Sequence, residues 1–165
     1  MMGALAAWIG GLPLVRDGHG YSIPRPHGFS ETIAKAVVDM DDPAWFAANL
    51  DRLAAGESGY HTAAAGDCPG LPAGSLLCTR SKGAHACGAW QGLCASLPVK
   101  ATPLEQAEQA VRDLTRARLV CPAHPLWAYA SGSCRSTRVA VLYESEVSKT
   151  LADHPFNAAL AEETP

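Results

Sequence analysis

The chain of 165 residues is long enough to bury one hydrophobic core and too short for two large domains. Hydrophobic residues make up 48% and charged residues 18%, which is typical of a globular protein, and the net charge of -3 lacks the basic excess of a nucleic-acid binder. Six cysteines in so short a chain indicate either disulfides formed in an oxidising compartment or a metal site.

The N-terminal segment, residues 1–29, has two interpretations. Its apolar run from Ala4 to Val15 resembles the core of a secretory signal, but no basic residue precedes that run and Pro13 interrupts it. The segment is therefore either a signal remnant or an ordinary buried segment, and residues 16–29, rich in Gly and Pro, are expected to form an extended arm. No stretch is long and apolar enough to predict a membrane-spanning helix.

Two helices are expected next, and the second one ends on an acidic residue. The first has Ser30 as its N-cap and runs to about Met40, and the second begins at Pro43 with Asp42 as its N-cap. Its core-facing stripe consists of Phe46, Leu50 and Leu53. Because Glu57 continues that stripe, its carboxyl group is expected either to point into a cleft at the edge of the core or to be solvated at the helix end.

A loop-rich region separates these helices from a third one. Residues 59–101 contain many glycines, three prolines and four of the six cysteines, so packing alone does not hold this region together. The third helix starts with Thr102-Pro103-Leu104-Glu105, which combines a capping-box pattern with Pro at the first helical position.

The last part of the chain is predicted to be helical as well. A short helical turn covers residues 126–130, and a final helix runs over residues 136–151. The apolar face of the final helix is formed by Val139, Leu142, Tyr143, Val147 and Leu151. The sequence therefore predicts a mainly α domain over residues 30–153, with residues 154–165 as a C-terminal tail.

Three short motifs occur in order along these elements. They are Glu57-Ser58-Gly59-Tyr60 at a helix end, Gly88-Ala89-Trp90-Gln91 in the loop region, and Ala128-Tyr129-Ala130-Ser131-Gly132 at the short helical turn. This ordered set resembles the lysozyme-like superfamily of soluble lytic transglycosylases and goose-type lysozymes, over residues 31–151. The resemblance implies a lysozyme-like single domain with a disulfide-stapled loop region.

The resemblance implies that Glu57 is the catalytic residue of an enzyme that cleaves the β-1,4 bond between N-acetylmuramic acid and N-acetylglucosamine. A Glu in an apolar cleft has a raised pKa, which allows it to protonate the leaving oxygen near neutral pH. Most glycosidases use a second carboxylate, for which Asp67 is the nearby candidate. Lytic transglycosylases work with one Glu as acid and then base, forming a 1,6-anhydro ring, so Glu57 is expected to act alone, without a cofactor or metal.

The same resemblance implies substrate-binding roles for Ser58, Trp90, Gln91 and Tyr129. Each has a structural alternative: Ser58 can bond a carbonyl at the helix end, Trp90 and Tyr129 can fill the core, and Gln91 can be a solvated loop residue. Ala130 stands where relatives usually carry Asn, which departs from the family pattern.

The cysteine spacings favour disulfides over a zinc site. No two cysteines form a Cys-x-x-Cys pair, and only Cys121-x-x-His124 and His85-x-Cys87 suggest metal binding. Fifteen disulfide connectivities are open to six cysteines. Pairing in chain order would place each bond beside the expected cleft, as Cys68 with Cys78, Cys87 with Cys94, and Cys121 with Cys134.

Three classes of function remain open from the sequence. The first is a peptidoglycan-cleaving enzyme that acts on glycan strands, on its own or within a phage-virion or secretion assembly. The second is a non-catalytic lysozyme-like module that binds glycan or a protein, which a solvent-exposed Glu57 or an unshifted pKa would favour. The third is a zinc-stapled interaction domain. A Cys/His hydrolase built on Cys68 is disfavoured because the prolines that follow make a poor helix. Disulfides predict an extracytoplasmic location: periplasmic, secreted or virion-associated.

Overall fold

Six helices make up most of the described part of the chain. The structure is a computed structural model, and it describes residues 1–62, 86–93, 96–98 and 100–157. Within those residues the fold is mainly α, with the helices α1 (Met2–Gly11), α2 (Phe29–Val37), α3 (Pro43–Ser58), α4 (Pro103–Val120), α5 (Pro125–Ser131) and α6 (Arg138–Asp153). Two short antiparallel strands, β1 (Ala86–Cys87) and β2 (Gly92–Leu93), pair Ala86 with Leu93 and Cys87 with Gly92.

The starts of α3 and α4 follow from their capping residues. The Asp42 side chain accepts a hydrogen bond from the amide of Trp45, and Pro43 occupies the first helical turn. At α4 the Thr102 hydroxyl accepts from the amide of Glu105, while the Glu105 carboxylate accepts from the amide of Thr102 at 2.7 Å. Both helix starts that the sequence predicts are thereby confirmed, since each side chain satisfies amides that have no partner within the helix.

Two other helices differ from the prediction in their bounds or faces. The helix α2 begins at Phe29 with Gly28, at a φ of 77°, as its N-cap, so the N-cap predicted at Ser30 is wrong. It ends at Val37, because residues up to Met40 turn away, with the Met40 amide bonded to the Val37 carbonyl at 3.0 Å. On α6 the apolar face is narrower than predicted. Val139 and Leu142 are each 51% exposed, since the face that packs inward is formed by Ala140, Tyr143 and Val147.

The helix α3 is buried on all sides, which its sequence does not suggest. The stripe of Phe46, Leu50 and Leu53 lies in the core as predicted. The residues between them are also buried, including the polar Asn49, Asp51 and Arg52. A fully surrounded helix must pair its polar side chains internally, because burial removes the water that would otherwise solvate them.

The N-terminal segment packs against the helical domain. Leu5 and Ile9 of α1 are completely buried in the same core as α2, α3 and α4. The indole nitrogen of Trp8 donates to the carbonyl of His154 at 2.9 Å, and the ring packs against Phe156 at 5.5 Å. The packing therefore joins residues 2–11, and the start of the predicted tail, to the domain that the sequence places over residues 30–153.

An extended arm over residues 16–28 connects α1 to α2, as the Gly and Pro content predicts. Its anchor is Arg25, whose Nε and Nη2 atoms each lie 2.7 Å from an oxygen of Asp51 on α3. Both side chains are about 95% buried, and the Tyr60 hydroxyl donates to the same carboxylate at 2.9 Å. This bidentate pair ties the arm, the central helix and the segment after it together.

Among the described residues, no helix is both long and apolar enough to cross a membrane.

Replacing Arg25 by Met is expected to lower the free energy of unfolding by about 3–5 kcal/mol, because the buried Asp51 carboxylate loses its cation. Urea denaturation measures this loss. Arg118→Met is a matched control, since Arg118 pairs with Asp41 at the surface and its removal is expected to cost less than about 1 kcal/mol. Equal effects of the two substitutions would contradict the assigned role of the buried pair.

Candidate active site

The end of α3 presents Glu57 at the surface of the domain. The helix ends at Gly59, which adopts a left-handed conformation (φ 62°) and donates its amide back to the Ala55 carbonyl at 3.0 Å. The Tyr60 amide bonds to the Ala54 carbonyl in the same turn, which closes the helix end. Glu57, in the last turn, is solvent-exposed, whereas Tyr60 returns into the core.

Although Glu57 is exposed, the surrounding protein removes part of the water from its carboxyl group. This desolvation raises the pKa of Glu57 above its ordinary value. A hydrogen bond with the hydroxyl group of Tyr143 and the positive charge of Arg52 act in the opposite direction, and desolvation outweighs them. Glu57 therefore keeps its proton to a higher pH than a freely solvated glutamate.

The contacts of Glu57 depend on a close approach at Gly56. The guanidinium of Arg52 lies 3.9 Å from the centre of the Tyr143 ring, and its Nε atom donates to Glu146. A Cβ atom at Gly56 would collide with both the Tyr143 hydroxyl and the Arg52 guanidinium. Glycine at this position therefore lets α6 bring Tyr143 up to the end of α3.

Ser58 joins the end of α3 to the turn over residues 88–91. Its hydroxyl donates to the Ala89 carbonyl at 2.8 Å and accepts from the His61 amide at 3.0 Å. The carbonyl of Ala54 lies 3.3 Å away. The hydroxyl is thus engaged within the protein, as in the structural alternative for this residue, and it brings the first two sequence motifs together.

The same turn is held from the other side by Gln106, which the sequence did not single out. This buried side chain accepts from the Ala89 amide at 3.0 Å and donates to the carbonyls of Thr62 and Ala101. Gly88 has a φ of 78°, and a Cβ atom there would collide with the Gln106 amide. The glycine of the second motif is therefore required by a close approach as well as by its backbone conformation.

Trp90 lies in the core, as in the structural alternative that the sequence leaves open for this residue. The residue is 2% exposed, its indole nitrogen donates to the Leu50 carbonyl at 2.8 Å, and its ring stacks on Phe29 at 5.3 Å. Its backbone carbonyl accepts a hydrogen bond from the Tyr129 hydroxyl at 3.0 Å. Trp90 therefore anchors the turn instead of presenting a face to a ligand.

A cavity of about 290 Å³ opens beside this turn and contains two of the predicted substrate-binding residues. Gln91 and Tyr129 line it together with Asp113 and Arg116 of α4, and uncharged residues of β1, β2, α4 and α5, with Gly132, complete the wall. The side-chain nitrogen of Gln91 donates a hydrogen bond to the Gly88 carbonyl at 2.8 Å, which holds the side chain against its own turn. Burial and the charges of Asp113 and Glu57 raise the pKa of Tyr129, so its hydroxyl stays protonated.

Glu57 is not among the described residues that line this cavity. Its charge nevertheless acts on Tyr129, and so does the charge of Asp113. The hydroxyl of Tyr129 therefore lies within electrostatic reach of both carboxyl groups.

Asp113 is a second acidic residue of the site that the sequence reasoning missed. Its Oδ1 atom accepts from Gln109 at 3.0 Å, which fixes the carboxylate on the cavity wall. Burial raises the pKa of Asp113, while Gln109, Arg116 and Arg112 oppose that rise. A row of polar residues at helical spacing, Gln106, Gln109 and Asp113, was the available signal for a polar wall on α4.

The structure contains a disulfide between Cys121 and Cys134, which is one of the three pairs expected from the sequence. It joins the end of α4 to the segment after α5 and so closes the part of the chain that carries Tyr129. Cys87 is also disulfide-bonded. The remaining cysteines of the expected pairs lie outside the described residues, and so do the candidates Asp67 and His85. These cysteines are Cys68, Cys78 and Cys94.

The Cys121–His124 spacing does not form a metal site, because the sulfur of Cys121 is bonded to Cys134. His124 instead stacks on Trp127 with ring centres 3.9 Å apart and pairs with Glu144 at 3.1 Å. In the described part of the chain, no group of three His, Cys, Asp or Glu side chains is placed to hold a metal ion.

Comparison with protein-family models, with curated proteins and with solved structures gives no match to this chain.

Replacing Gly56 by Ala is expected to destabilise the protein by about 1–3 kcal/mol, because the added methyl group displaces Tyr143 and Arg52. The direction is informative, since Gly→Ala at an exposed helical position otherwise stabilises by up to about 1 kcal/mol. Gly3→Ala in α1 is the control, because no atom lies within 4 Å of its Cβ position. Urea denaturation compares the two, and a stabilising Gly56→Ala would refute the close approach.

Proposed function

We propose that this protein is a lysozyme-like enzyme that cleaves the β-1,4 bond between N-acetylmuramic acid and N-acetylglucosamine in peptidoglycan, with Glu57 as its acid/base. The proposal is carried by the position of Glu57 in the last turn of α3, where the Ser58 hydroxyl is hydrogen-bonded to the turn over residues 88–91 and Tyr129 bonds to that turn from the wall of a cavity. Desolvation raises the pKa of Glu57, which suits a proton donor. The cavity volume of about 290 Å³ is close to the lower end of the roughly 300–1,000 Å³ range of small-molecule sites. The three motifs that resemble soluble lytic transglycosylases are joined beside this cavity by the hydrogen bonds from Ser58 to Ala89 and from Tyr129 to Trp90.

In the proposed reaction, protonated Glu57 donates its proton to the glycosidic oxygen as the bond from that oxygen to C1 of the muramic acid residue breaks. The N-acetylglucosamine leaves with the proton on its 4-hydroxyl group. The Glu57 carboxylate then takes the proton of the 6-hydroxyl group of the muramic acid residue as that oxygen bonds to C1. The product is a 1,6-anhydro ring, and Glu57 returns to its protonated form. Substrate assistance thus replaces a second carboxylate.

The cavity residues suit a sugar ligand. Gln91 and Asp113 offer oxygen acceptors, Arg116 offers donors, and the Tyr129 ring supplies an apolar surface. Sugar rings present hydroxyl groups around an apolar face, so this mixture of polar groups and an aromatic ring matches them. Tyr129 and Gln91 are proposed to bind the glycan, whereas Ser58 and Trp90 shape the site from within the protein.

Two observations favour alternatives. The position of Asp113 on the cavity wall favours hydrolysis, in which a second carboxylate would activate water. The solvent exposure of Glu57 favours a non-catalytic lysozyme-like module that binds glycan or a protein, while its raised pKa favours an enzyme. A zinc-stapled interaction domain receives no such support, since Cys121 is used in a disulfide.

The disulfide is consistent with an extracytoplasmic site of action, where peptidoglycan strands are found. We propose a periplasmic, secreted or virion-associated location, with glycan strands as the substrate. A phage-virion or secretion assembly is the proposed setting if the chain works with partners.

Digestion of purified peptidoglycan by wild type and Glu57→Gln, followed by mass spectrometry, tests the proposal. The wild type is expected to release anhydro-muropeptides, and Glu57→Gln is expected to lower the rate at least about 100-fold, because the proton donor is lost. Glu108→Gln, which alters an exposed carboxylate on α4, is the matched control and should leave the rate unchanged. An equal rate in Glu57→Gln would remove the catalytic role, and binding without cleavage by the wild type would support the non-catalytic module.

The same assay on Asp113→Asn separates the two reactions. If Glu57 acts alone, this variant is expected to give the same anhydro products. Its KM is expected to rise because a cavity contact is weakened, while kcat stays unchanged. Reducing-end products from the wild type, together with a loss of kcat in Asp113→Asn, would instead establish hydrolysis with Asp113 as the second carboxylate.

A further inference from the structure

We propose that the Arg52–Glu146 ion pair, packed against Tyr143, is a positioning pair that sets the charge balance at Glu57. The inference deepens the proposed function, because Glu57 is the acid/base of that reaction. Arg52 lies on α3, five residues before Glu57, and Glu146 lies on α6, three residues after Tyr143. The helix α3 thus carries Arg52 and Glu57, and α6 carries Glu146 and Tyr143, where the two helices pack together.

The incomplete pairing of Arg52 is the first reason for this assignment. Its side chain is 9% exposed, yet among the described residues its Nη1 atom has no hydrogen-bond partner. Arg25, the other buried arginine that contacts α3, uses Nε and Nη2 in a bidentate pair with Asp51. A buried cation with one partner is costly to retain, and a similarly sized apolar residue would pack there at lower cost. Arg52 therefore has an electrostatic role that packing does not explain.

The second reason is the direction in which Arg52 acts. Its guanidinium lies over the Tyr143 ring, and both its Nη1 atom and the Tyr143 hydroxyl lie beside Gly56, the residue before Glu57 in the last turn of α3. The positive charge stabilises the ionised form of Glu57. Glu146 partly neutralises Arg52 from the solvent side, since its own side chain is 43% exposed.

Few other charged or titratable groups face Glu57 in the described part of the chain. Tyr143 on α6 bonds to it, and Tyr129 on α5 responds to its charge. Both tyrosines have raised pKa values and remain neutral when Glu57 titrates. The charge that changes the proton affinity of Glu57 is therefore carried by Arg52, and Glu146 modulates it.

The test follows from the opposite signs of the two partners. Arg52→Gln removes the cation, so Glu57 is expected to keep its proton to a higher pH than in wild type. Glu146→Gln removes the neutralising anion, so Glu57 is expected to lose its proton at a lower pH. Carbon-13 NMR titration of the Glu57 carboxyl carbon measures both shifts in the full chain. A residue with a merely structural role would not give shifts of opposite sign.

Three further variants make the outcome decisive. Arg52→Lys retains the charge and is expected to restore the wild-type titration. Arg118→Gln is the matched control, because Arg118 also lies over an aromatic ring, at 4.8 Å from Trp45, and pairs with an acidic residue away from Glu57. Circular dichroism reports folding, and if Arg52→Gln does not fold, Arg52→Lys and Glu146→Gln still carry the test. Shifts of the same sign, or no shift in Glu146→Gln, would overturn the proposal.

The proposed function and this inference fail separately. The NMR titration does not depend on peptidoglycan cleavage. If the wild type is inactive but the two variants shift the titration of Glu57 in opposite directions, the positioning pair is supported and the enzymatic function is rejected. In an active enzyme, the alkaline limb of the pH profile of kcat/KM should move with the measured titration: to higher pH in Arg52→Gln and to lower pH in Glu146→Gln. If the enzyme is active and neither variant moves its pH profile, the role of the pair is rejected.

Discussion

The buried contact of Arg25 with Asp51 is the constraint on which the rest of the structure depends. Every residue of α3 from Phe46 to Ala55 is buried, so the helix is surrounded and the Asp51 carboxylate is almost completely removed from water. The extended arm brings the cation of Arg25 to that side chain, and Tyr60 completes the bonding just after the helix ends. One ion pair thus fixes the path of the chain before and after the central helix.

Because the chain is fixed before and after α3, the residues that follow Glu57 at the end of this helix are fixed as well. Tyr60 turns back into the core and packs edge-on against Phe29, which in turn stacks on Trp90. The turn that carries Trp90 is therefore held against the same aromatic ring as the segment that follows Glu57. The Trp90 carbonyl also accepts a hydrogen bond from the Tyr129 hydroxyl, and the Ala89 carbonyl accepts one from Ser58, so core packing and hydrogen bonds join the three motifs.

The sequence predicts the local features of this arrangement and misses those that arise from the surroundings of α3. Asp42 and Thr102 mark helix starts because capping is a short-range interaction, readable from four consecutive residues. The central helix looks amphipathic from its stripe, since Asp51 and Arg52 resemble residues of a solvated face. Nothing in the local pattern tells that α1 and α6 cover that face.

The same limit applies to the candidate site. Tyr143 reads as one more apolar residue of a helical face, and only the packing of α6 on α3 shows that its hydroxyl meets Glu57. Asp113 looks like a solvated residue among arginines, but it lies on the cavity wall. For Trp90 the sequence leaves a ligand contact and a core position open, and the structure has it in the core. Residues whose role comes from a distant partner carry that role in the tertiary structure alone, so single-sequence patterns identify Glu57 and Tyr129 more readily than their neighbours.

The adjacency of Asp51 and Arg52 separates stability from reactivity within one turn of helix. Consecutive residues of an α-helix point about 100° apart, so the two side chains reach different neighbours. Asp51 meets an arginine that is bonded twice, and the pair is sealed from solvent; Arg52 meets a glutamate that is partly exposed and retains an unpaired nitrogen beside Gly56. A sealed pair contributes the same interaction at any pH at which both groups stay charged. A pair that opens to solvent and lies against a titrating carboxyl group responds to its protonation instead. The fold can therefore hold α3 rigidly through one pair, while the other opposes the rise in the pKa of Glu57 that desolvation causes.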